Sequence, residues 1–407
     1  MKFALVSHVL PPAGSGQAVL ISRLLKELAP SDYCLITQRT WLTQDYRGTY
    51  LKSLPGKQHD LPLEILMRGL RFGFTRPRMR LNLLFGTVSR ALRMAALLRR
   101  EGCDAIVVMT GNLIDPPAAY LASRIARVPF YAYILDDYSV WGWNDRWEQL
   151  FARWVEPTLL RGASGIITLN AFLDETLRQR YGVETTIIHN PCDLADYESG
   201  PMEPVGKADG EIRIVYTGAI YWAHYDAFQD LLVAIRRLGK PELKLHLYTA
   251  QPPAVLAEQG ICGPIVFHEH RATAEMPGIQ QGADLLFLPL AFDSPFPEQV
   301  RTAAPFKVGE YLAARRPILV HAPADSFVAW YFRHYDCGLV VDQPAPALLA
   351  EAIERILTDA ALRQRLTANA WARANADFSI ATAQAQFAEL LDLDLPRGET
   401  RHTRQGS

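Results

Sequence analysis

The sequence is short of the features that mark membrane-spanning, secreted, fibrous or disordered chains. No run reaches about 18 uninterrupted apolar residues, and Met1-Lys2-Phe3-Ala4-Leu5-Val6 gives way to Ser7-His8 too soon for a signal-peptide core. A soluble or peripheral chain is expected. Five cysteines, Cys34, Cys103, Cys192, Cys262 and Cys337, stand far apart with no C-x-x-C spacing. They suggest neither a disulfide framework nor a zinc knuckle, and fit a reducing cytoplasm. Charge of either sign is nearly cancelled, with a formal net of -1, which argues against a globally basic nucleic-acid binder. No repeat or low-complexity tract appears.

What is present is an ordinary globular composition, 49% hydrophobic and 21% charged with 27 Pro and 26 Gly. At 407 residues the chain exceeds what one core usually holds, so two domains are expected. Short apolar runs alternate with helical patterns, the signature of parallel sheets covered by helices. Strands are predicted near Phe3 to Val6, Tyr33 to Ile36, Ala105 to Met109, Phe130 to Leu135, Gly165 to Thr168 and Thr185 to Ile188. Asp193 to Gly210, with Pro201, Pro204, Gly206 and Gly210, reads as a linker. The alternation then restarts near Ile212 to Tyr216, Lys244 to Tyr248, Ile265 to Phe267, Leu285 to Leu288, Pro317 to Val320 and Gly338 to Val341. A helical stretch from about Ala361 to Leu393 ends the folded part. The fold class is therefore α/β, two Rossmann-like doubly wound domains facing a central cleft. Ligands of such sheets sit beyond the carboxyl ends of the strands.

Two segments carry candidate chemistry. The loop Pro11-Pro12-Ala13-Gly14-Ser15-Gly16 lies between the first strand and the helical run Val19 to Leu28, where backbone N–H groups can face a phosphate. A plain turn capped by Ser15 is the alternative. The second is Ala304-Pro305-Phe306-Lys307-Val308-Gly309-Glu310-Tyr311-Leu312-Ala313, followed by Arg316-Pro317. Lys307 and Glu310 lie three apart in one helical turn, where a cation can meet phosphate oxygens and a carboxylate a sugar diol. The alternative is an exposed ion pair.

With these residues in view the chain resembles glycosyltransferase family 4, the retaining GT-B enzymes. The likeness rests on Gly162-Ala163-Ser164-Gly165-Ile166-Ile167-Thr168-Leu169-Asn170, on Ile187-Ile188-His189-Asn190-Pro191-Cys192-Asp193, on Ile214-Val215-Tyr216-Thr217-Gly218, and on Pro305 to Pro317, which resembles the family's P-x-K-x-x-E-Y-L-A-x-x-x-P donor helix. Together with the glycine loop it spans roughly residues 1 to 390. The resemblance implies a GT-B fold with an acceptor-binding domain over 1–195 and a nucleotide-sugar-binding domain over 196–375. A C-terminal helix over 376–395 would return to the first domain, and 396–407 would form a disordered tail. It implies that Glu310 binds the nucleotide ribose, that Lys307 meets the diphosphate, and that Gly14, Ser15, Gly16, Gly218 and Phe306 border the donor. Phe267-His268-Glu269-His270-Arg271 stands where the family packs the base, which makes His268, His270 and Arg271 donor-binding candidates. Two departures stand out. Thr302 occupies the position eight before Glu310 where the family commonly has an acid, and Ala219-Ile220-Tyr221-Trp222 replaces its basic pair.

For the acceptor hydroxyl, Asp136 and Asp137 close the strand Tyr131-Ala132-Tyr133-Ile134-Leu135, where either carboxylate can orient the hydroxyl or accept its proton. Asp137 is equally readable as a turn or cap residue ahead of a Trp-rich helix from Trp143 to Leu160. Adjacent acids also suit the metal motif of GT-A enzymes, but the two-half architecture argues against it. His268-Glu269-His270 offers only two histidines on one strand face, so no metal and no cofactor are expected, the sugar nucleotide being the substrate. Trp141, Trp143 and Trp147 read as core or as a sugar-stacking wall.

From Met67 to Arg100 the chain has Arg68, Arg71, Arg76, Arg78, Arg80, Arg90, Arg93, Arg99 and Arg100 with no acid, interleaved with Leu and Phe. Residues 67–100 are thus a candidate contact with an anionic membrane surface, the alternative being a solvated helix face. The combined expectation is a cytoplasmic enzyme, peripheral at the inner membrane face. It would pass a hexose-type unit from a nucleotide-diphosphate donor to a glycan or lipid-linked acceptor, with retention, in polysaccharide or glycolipid biosynthesis. No nucleic-acid partner is expected. A silent GT-B module that binds sugar nucleotide or glycan, and a GT-B sugar epimerase, are the rival readings.

Overall fold

The computed structural model describes residues 1–38, 51–63, 75–140, 146–198, 200, 209–269 and 271–393. Arg68, Arg71, Trp141, Trp143, Pro201, Pro204, Gly206, His270 and the tail over 396–407 lie outside the described residues, as do the side chains of Arg76 and Arg78.

The first half contains β1 (Phe3–Val6), α1 (Gly16–Leu24), β2 (Tyr33–Gln38), β3 (Lys57–Leu61), α2 (Thr75–Glu101), β4 (Ala105–Met109), α3 (Asp115–Ala126), β5 (Phe130–Ile134), α4 (Arg146–Arg161), β6 (Gly165–Thr168), α5 (Ala171–Tyr181) and β7 (Thr186–Ile187). Its seven strands are parallel in the order β3-β2-β1-β4-β5-β6-β7. Strands such as Ala105–Met109 are buried along their whole length, which is why they read as continuous apolar runs. β3 has the sequence KQHDL and buries only Leu61. An edge strand of that composition has no apolar run to announce it.

The second half contains β8 (Ile212–Thr217), α6 (Tyr225–Leu238), β9 (Leu243–Tyr248), α7 (Pro253–Glu258), β10 (Ile265–His268), α8 (Met276–Gln281), β11 (Leu285–Pro289), α9 (Pro297–Thr302), α10 (Lys307–Ala313), β12 (Ile318–His321), α11 (Phe327–His334), β13 (Leu339–Val341), α12 (Pro346–Thr358), α13 (Ala360–Asp377) and α14 (Ile380–Leu391). Six parallel strands run β10-β9-β8-β11-β12-β13. The two sheets with their interleaved helices are the two Rossmann-like halves of the GT-B fold.

The predicted stretch Ala361 to Leu393 is two helices. It breaks at Phe378-Ser379, where the Ser379 hydroxyl caps α14 by accepting from the Thr382 N–H at 3.0 Å. There Cys192 donates its N–H to the Phe378 carbonyl at 2.6 Å. Beyond the break Ala383, Phe387 and Leu391 pack with Phe3, Leu20 and Leu35 of the first half. The last helix thus lies on the first-domain sheet, and the halves are joined by α14 as well as by the linker. His189 adds a second tie, stacking on Phe378 with ring centroids 4.8 Å apart.

α2 is a long surface helix over the first sheet. Ala91, Met94, Ala95 and Leu98 face the core. Arg90 is fully buried and paired with Asp115, so this arginine serves the interior and not a membrane.

Candidate active site

Ser15 caps α1, its hydroxyl accepting from the Ala18 N–H at 3.2 Å, so the glycine loop is fixed against the helix start. Ser15 is thus the cap of the helix, and Gly16 of the same loop meets Phe306 of the second domain. A Cβ on Gly16 would come within 2.6 Å of the Phe306 ring. Only hydrogen there allows the first-domain loop to reach the start of α10. Gly14 is exposed just before it.

Across the cleft, β8 is followed by Gly218, whose φ of 114° is open to glycine and costly for other residues. A Cβ at Gly218 would sit 3.0 Å from Lys307 Cε and 3.1 Å from its Nζ. The ammonium is 4.8 Å from the Tyr216 ring centroid, a cation–π contact. Burial pushes Lys307 down to about 8, partly offset by Glu310. His224, buried nearby ahead of α6, is held well below its usual value by burial and by Lys307. The site therefore holds one desolvated cation beside a glycine turn at the carboxyl end of the central strand, an arrangement suited to an anion.

Lys307 and Glu310 share the first turn of α10, yet no salt bridge joins them. Glu310 Oε1 accepts from Arg23 Nη2 of α1 at 3.0 Å, and Oε2 accepts from Gln280 Nε2 of α8 at 3.3 Å. The expected alternative of an exposed pair between the two does not describe this turn. α10 is fixed to the sheet by Tyr311, whose hydroxyl accepts from the Thr217 N–H at 3.1 Å. Thr302 turns its hydroxyl back to the Glu298 carbonyl at 3.0 Å, while its own carbonyl accepts from Asn170 Nδ2 at 2.9 Å. The position where the family commonly has an acid is thus spent on helix end and domain contact.

The two acids after β5 have different surroundings. Asp137 is buried, ion-paired to Arg180 at 2.8 Å, and accepts from the Ser139 hydroxyl at 2.9 Å. Asp136 is half-buried, and burial together with Asp137 lifts its carboxyl to about 6. Beneath them the buried Glu156 is raised to about 7 by burial first and Asp137 second, and accepts from the Tyr181 hydroxyl. Tyr221, from the loop after β8, is raised to about 12 by burial and by Asp136.

His268 stacks flat on Tyr248, with centroids 4.1 Å apart and planes at 3°, and contacts His246 through Nε2 at 3.0 Å. Burial lowers His268 and pushes His246 down to about 4, so both rings are neutral near pH 7. Arg271 is exposed and near Glu275 at 3.8 Å. Among the described residues no group of three or more His, Cys, Asp or Glu is placed to hold a metal. Trp147 stacks on Phe151 at 5.7 Å within a small core cluster and carries Arg80 over its ring at 5.4 Å. Sequence reasoning missed Tyr216, Arg23, Gln280 and Arg180. Tyr216 was visible only as a strand residue, and the others have partners too distant in sequence to signal.

The family model described as a glycosyl transferase 4-like domain matches residues 15–191, and that for glycosyl transferases group 1 matches residues 211–359. No curated protein sequence matches. Among solved structures, Anabaena HepE in complex with UDP and glucose aligns with a TM-score of 0.66 at 17% identity, covering 96% of this chain and 99% of its own. Sucrose-phosphate synthase from Thermosynechococcus elongatus aligns at 0.67 and 16% identity, covering 96% and 98%. The lipopolysaccharide outer core galactosyltransferase WaaB, in its apo form, aligns at 0.63 and 11% identity, covering 96% and 99%. At these identities the structures speak for the fold, whereas the two family models cover most of both halves and carry the assignment. The chain belongs to the GT-B glycosyltransferases, its first half a glycosyl transferase 4-like domain and its second a glycosyl transferases group 1 domain.

Proposed function

We propose that the protein transfers a hexose-type unit, with retention, from a nucleotide-diphosphate sugar to a glycan or lipid-linked acceptor in polysaccharide or glycolipid biosynthesis. The observation that carries this reading is Lys307 against the Gly218 turn and the Tyr216 ring, with Glu310 one turn along α10. In the reaction the bond between the donor's anomeric carbon and the diphosphate breaks as a bond to the acceptor oxygen forms. Negative charge gathers on the departing diphosphate, and Lys307 with the backbone N–H groups near Gly16 and Gly218 would stabilise it. Phe306 would close the pocket beside Gly16. Glu310 would accept from the ribose diol, with His268 and Arg271 bordering the base. Asp136 would orient the acceptor hydroxyl and take its proton. Asp137 would act through Arg180 and Ser139 to hold that loop in place.

The donor base is a matter for experiment, and UDP is the first to try because HepE has been seen with UDP and UDP-glucose. A thermal-shift screen of UDP, GDP, ADP and dTDP and their sugars tests the reading, since a ligand at about a hundred times its Kd stabilises by roughly 2.7 kcal/mol. No shift with any of them would refute it. A module that binds a sugar nucleotide without turning it over is the second reading, favoured by Thr302 being committed to Glu298. Donor consumption by purified protein, with and without acceptor, separates the two. Turnover in excess chelator is expected, because fixed positive charge stands where other transferases use a metal.

For the acceptor, α2 turns Leu81, Leu84, Phe85, Val88 and Leu92 to solvent on one face, with Arg80 and Arg93 also exposed. α4 shares a core cluster with α2 and adds exposed Leu150 and Trp154. The apolar face of α2, with Arg80 and Arg93 exposed beside it, suits the surface of an anionic bilayer at the cytoplasmic side.

A further inference from the structure

Arg23 lies in the last turn of α1, the helix whose first turn carries Gly16. Its Nη1 donates to the Pro191 carbonyl at 2.8 Å and its Nη2 to Glu310 Oε1 at 3.0 Å. The two side chains are only 13% and 15% exposed, so their attraction is little screened. The Arg23 backbone is held in turn, its carbonyl accepting from Gln384 Nε2 of α14 at 3.3 Å. One guanidinium thus joins α1, the exit from the first domain and the donor helix of the second.

The other oxygen of Glu310 is equally fixed. Gln280 Nε2 reaches Oε2, and also Thr217 Oγ1 at 3.1 Å, while Gln280 Oε1 accepts from the Tyr197 hydroxyl at 2.6 Å. Tyr197 belongs to the short 3-10 turn Leu194–Tyr197 that follows the first domain. Each carboxylate oxygen has two acceptor positions, so both keep room for a hydroxyl after these bonds are made. Another cation within reach of Glu310 is Lys307, three residues before it on the same helix face. If Arg23 were absent, a half-buried carboxylate would turn to that ammonium and neutralise the site's desolvated cation.

We propose that Arg23 is a positioning residue for the donor. From the first domain it holds Glu310 turned toward the ribose and away from Lys307, so the nucleotide subsite is complete only while α1 is docked. The inference rests on the reading of Glu310 as the ribose acceptor.

Two probes separate the ideas: inorganic pyrophosphate, which has no ribose, and whichever of UDP, GDP, ADP and dTDP stabilises the wild type. Binding of both is measured calorimetrically to the full chain for R23Q, R23K, E310Q and R23Q/E310Q. E310Q is expected to weaken the nucleotide about tenfold or more and leave pyrophosphate unweakened. R23Q is expected to weaken both, and R23K to recover at least part of each loss. The decisive comparison is pyrophosphate in the E310Q background, where removing Arg23 should cost nothing, because the carboxylate that would quench Lys307 is gone. That coupling is not expected of a merely structural arginine. If R23Q weakens pyrophosphate as much in the E310Q background as in the wild type, or weakens neither probe, the positioning role is overturned. If E310Q leaves the nucleotide unaffected, or no nucleotide stabilises the wild type, the ribose assignment itself falls. R23K, which keeps the charge, guards against misfolding of R23Q, and thermal unfolding of each variant is recorded alongside.

Discussion

Replacing Lys307 by Met should make the protein more stable and unable to bind its donor. Burial brings the ammonium from 10.5 to about 8, so holding it protonated at neutral pH costs about 3 kcal/mol. Between those values the unfolded chain binds more protons than the folded one, so stability rises with pH across this window. The cost is full below pH 8 and disappears as pH climbs from 8 toward 10.5. Met has similar length and no charge, and its thioether can rest on the Tyr216 ring. A gain of 1 to 3 kcal/mol is expected at pH 7, roughly 2 to 4 °C in Tm per kcal/mol for a domain near 200 residues. The gain should vanish near pH 10. The wild type should take up protons on binding a nucleoside diphosphate at pH 8.5, because the phosphates favour the charged amine. Thermal unfolding against pH and calorimetry in buffers of different ionisation enthalpy read these effects. If K307M is destabilised at pH 7, or binds donor like the wild type, Lys307 is not a desolvated cation reserved for phosphate.

Asp136→Asn should abolish turnover while leaving donor affinity within about twofold, and wild-type turnover should fall as pH drops through about 6, where this carboxylate takes a proton; an unshifted acid limb in the presence of normal turnover would move the base elsewhere. Gly16→Val should weaken donor binding by displacing Phe306, whose ring would lie 2.6 Å from the added Cβ, and calorimetric affinity equal to wild type would refute it. Arg180→Leu strands the buried Asp137 charge and should cost about 3 kcal/mol in urea unfolding; a loss below about 1 kcal/mol would show that water replaces the pair. Val88→Asp with Leu92→Asp should leave stability nearly unchanged, both residues being exposed, but should abolish sedimentation with phosphatidylserine vesicles; retention of binding would free α2 from the membrane role.

Much of the architecture was legible because its signals are local. Each predicted strand appears within a residue or so, since a strand buried on both faces must be apolar over four or five consecutive positions. β3 escaped because Lys57-Gln58-His59-Asp60 buries nothing. Helix α10 was legible as a spacing, with Lys307 and Glu310 one turn apart after Pro305. Its environment was not. Asp136 and Asp137 are neighbours in sequence and indistinguishable there, and only the arrival of Arg180, two helices later, turns one inward and leaves the other at the cleft. The stacking of Trp147 on Phe151 is likewise a contact that no local pattern announced.

By itself the sequence determined the two doubly wound halves, the glycine loop, helix α10 and the residue types at their ends, because periodicity and backbone chemistry act over a few residues. Tertiary structure alone decided which partners those residues meet. Glu310 is fixed by an arginine 287 positions away, Lys307 is brought against the Gly218 turn and the Tyr216 ring, and Asp137 is paired with an arginine 43 positions on. Such pairings depend on how separate sheets are brought together, and the free energy that does so comes from burying whole apolar faces that carry no label for the polar contact they will enclose.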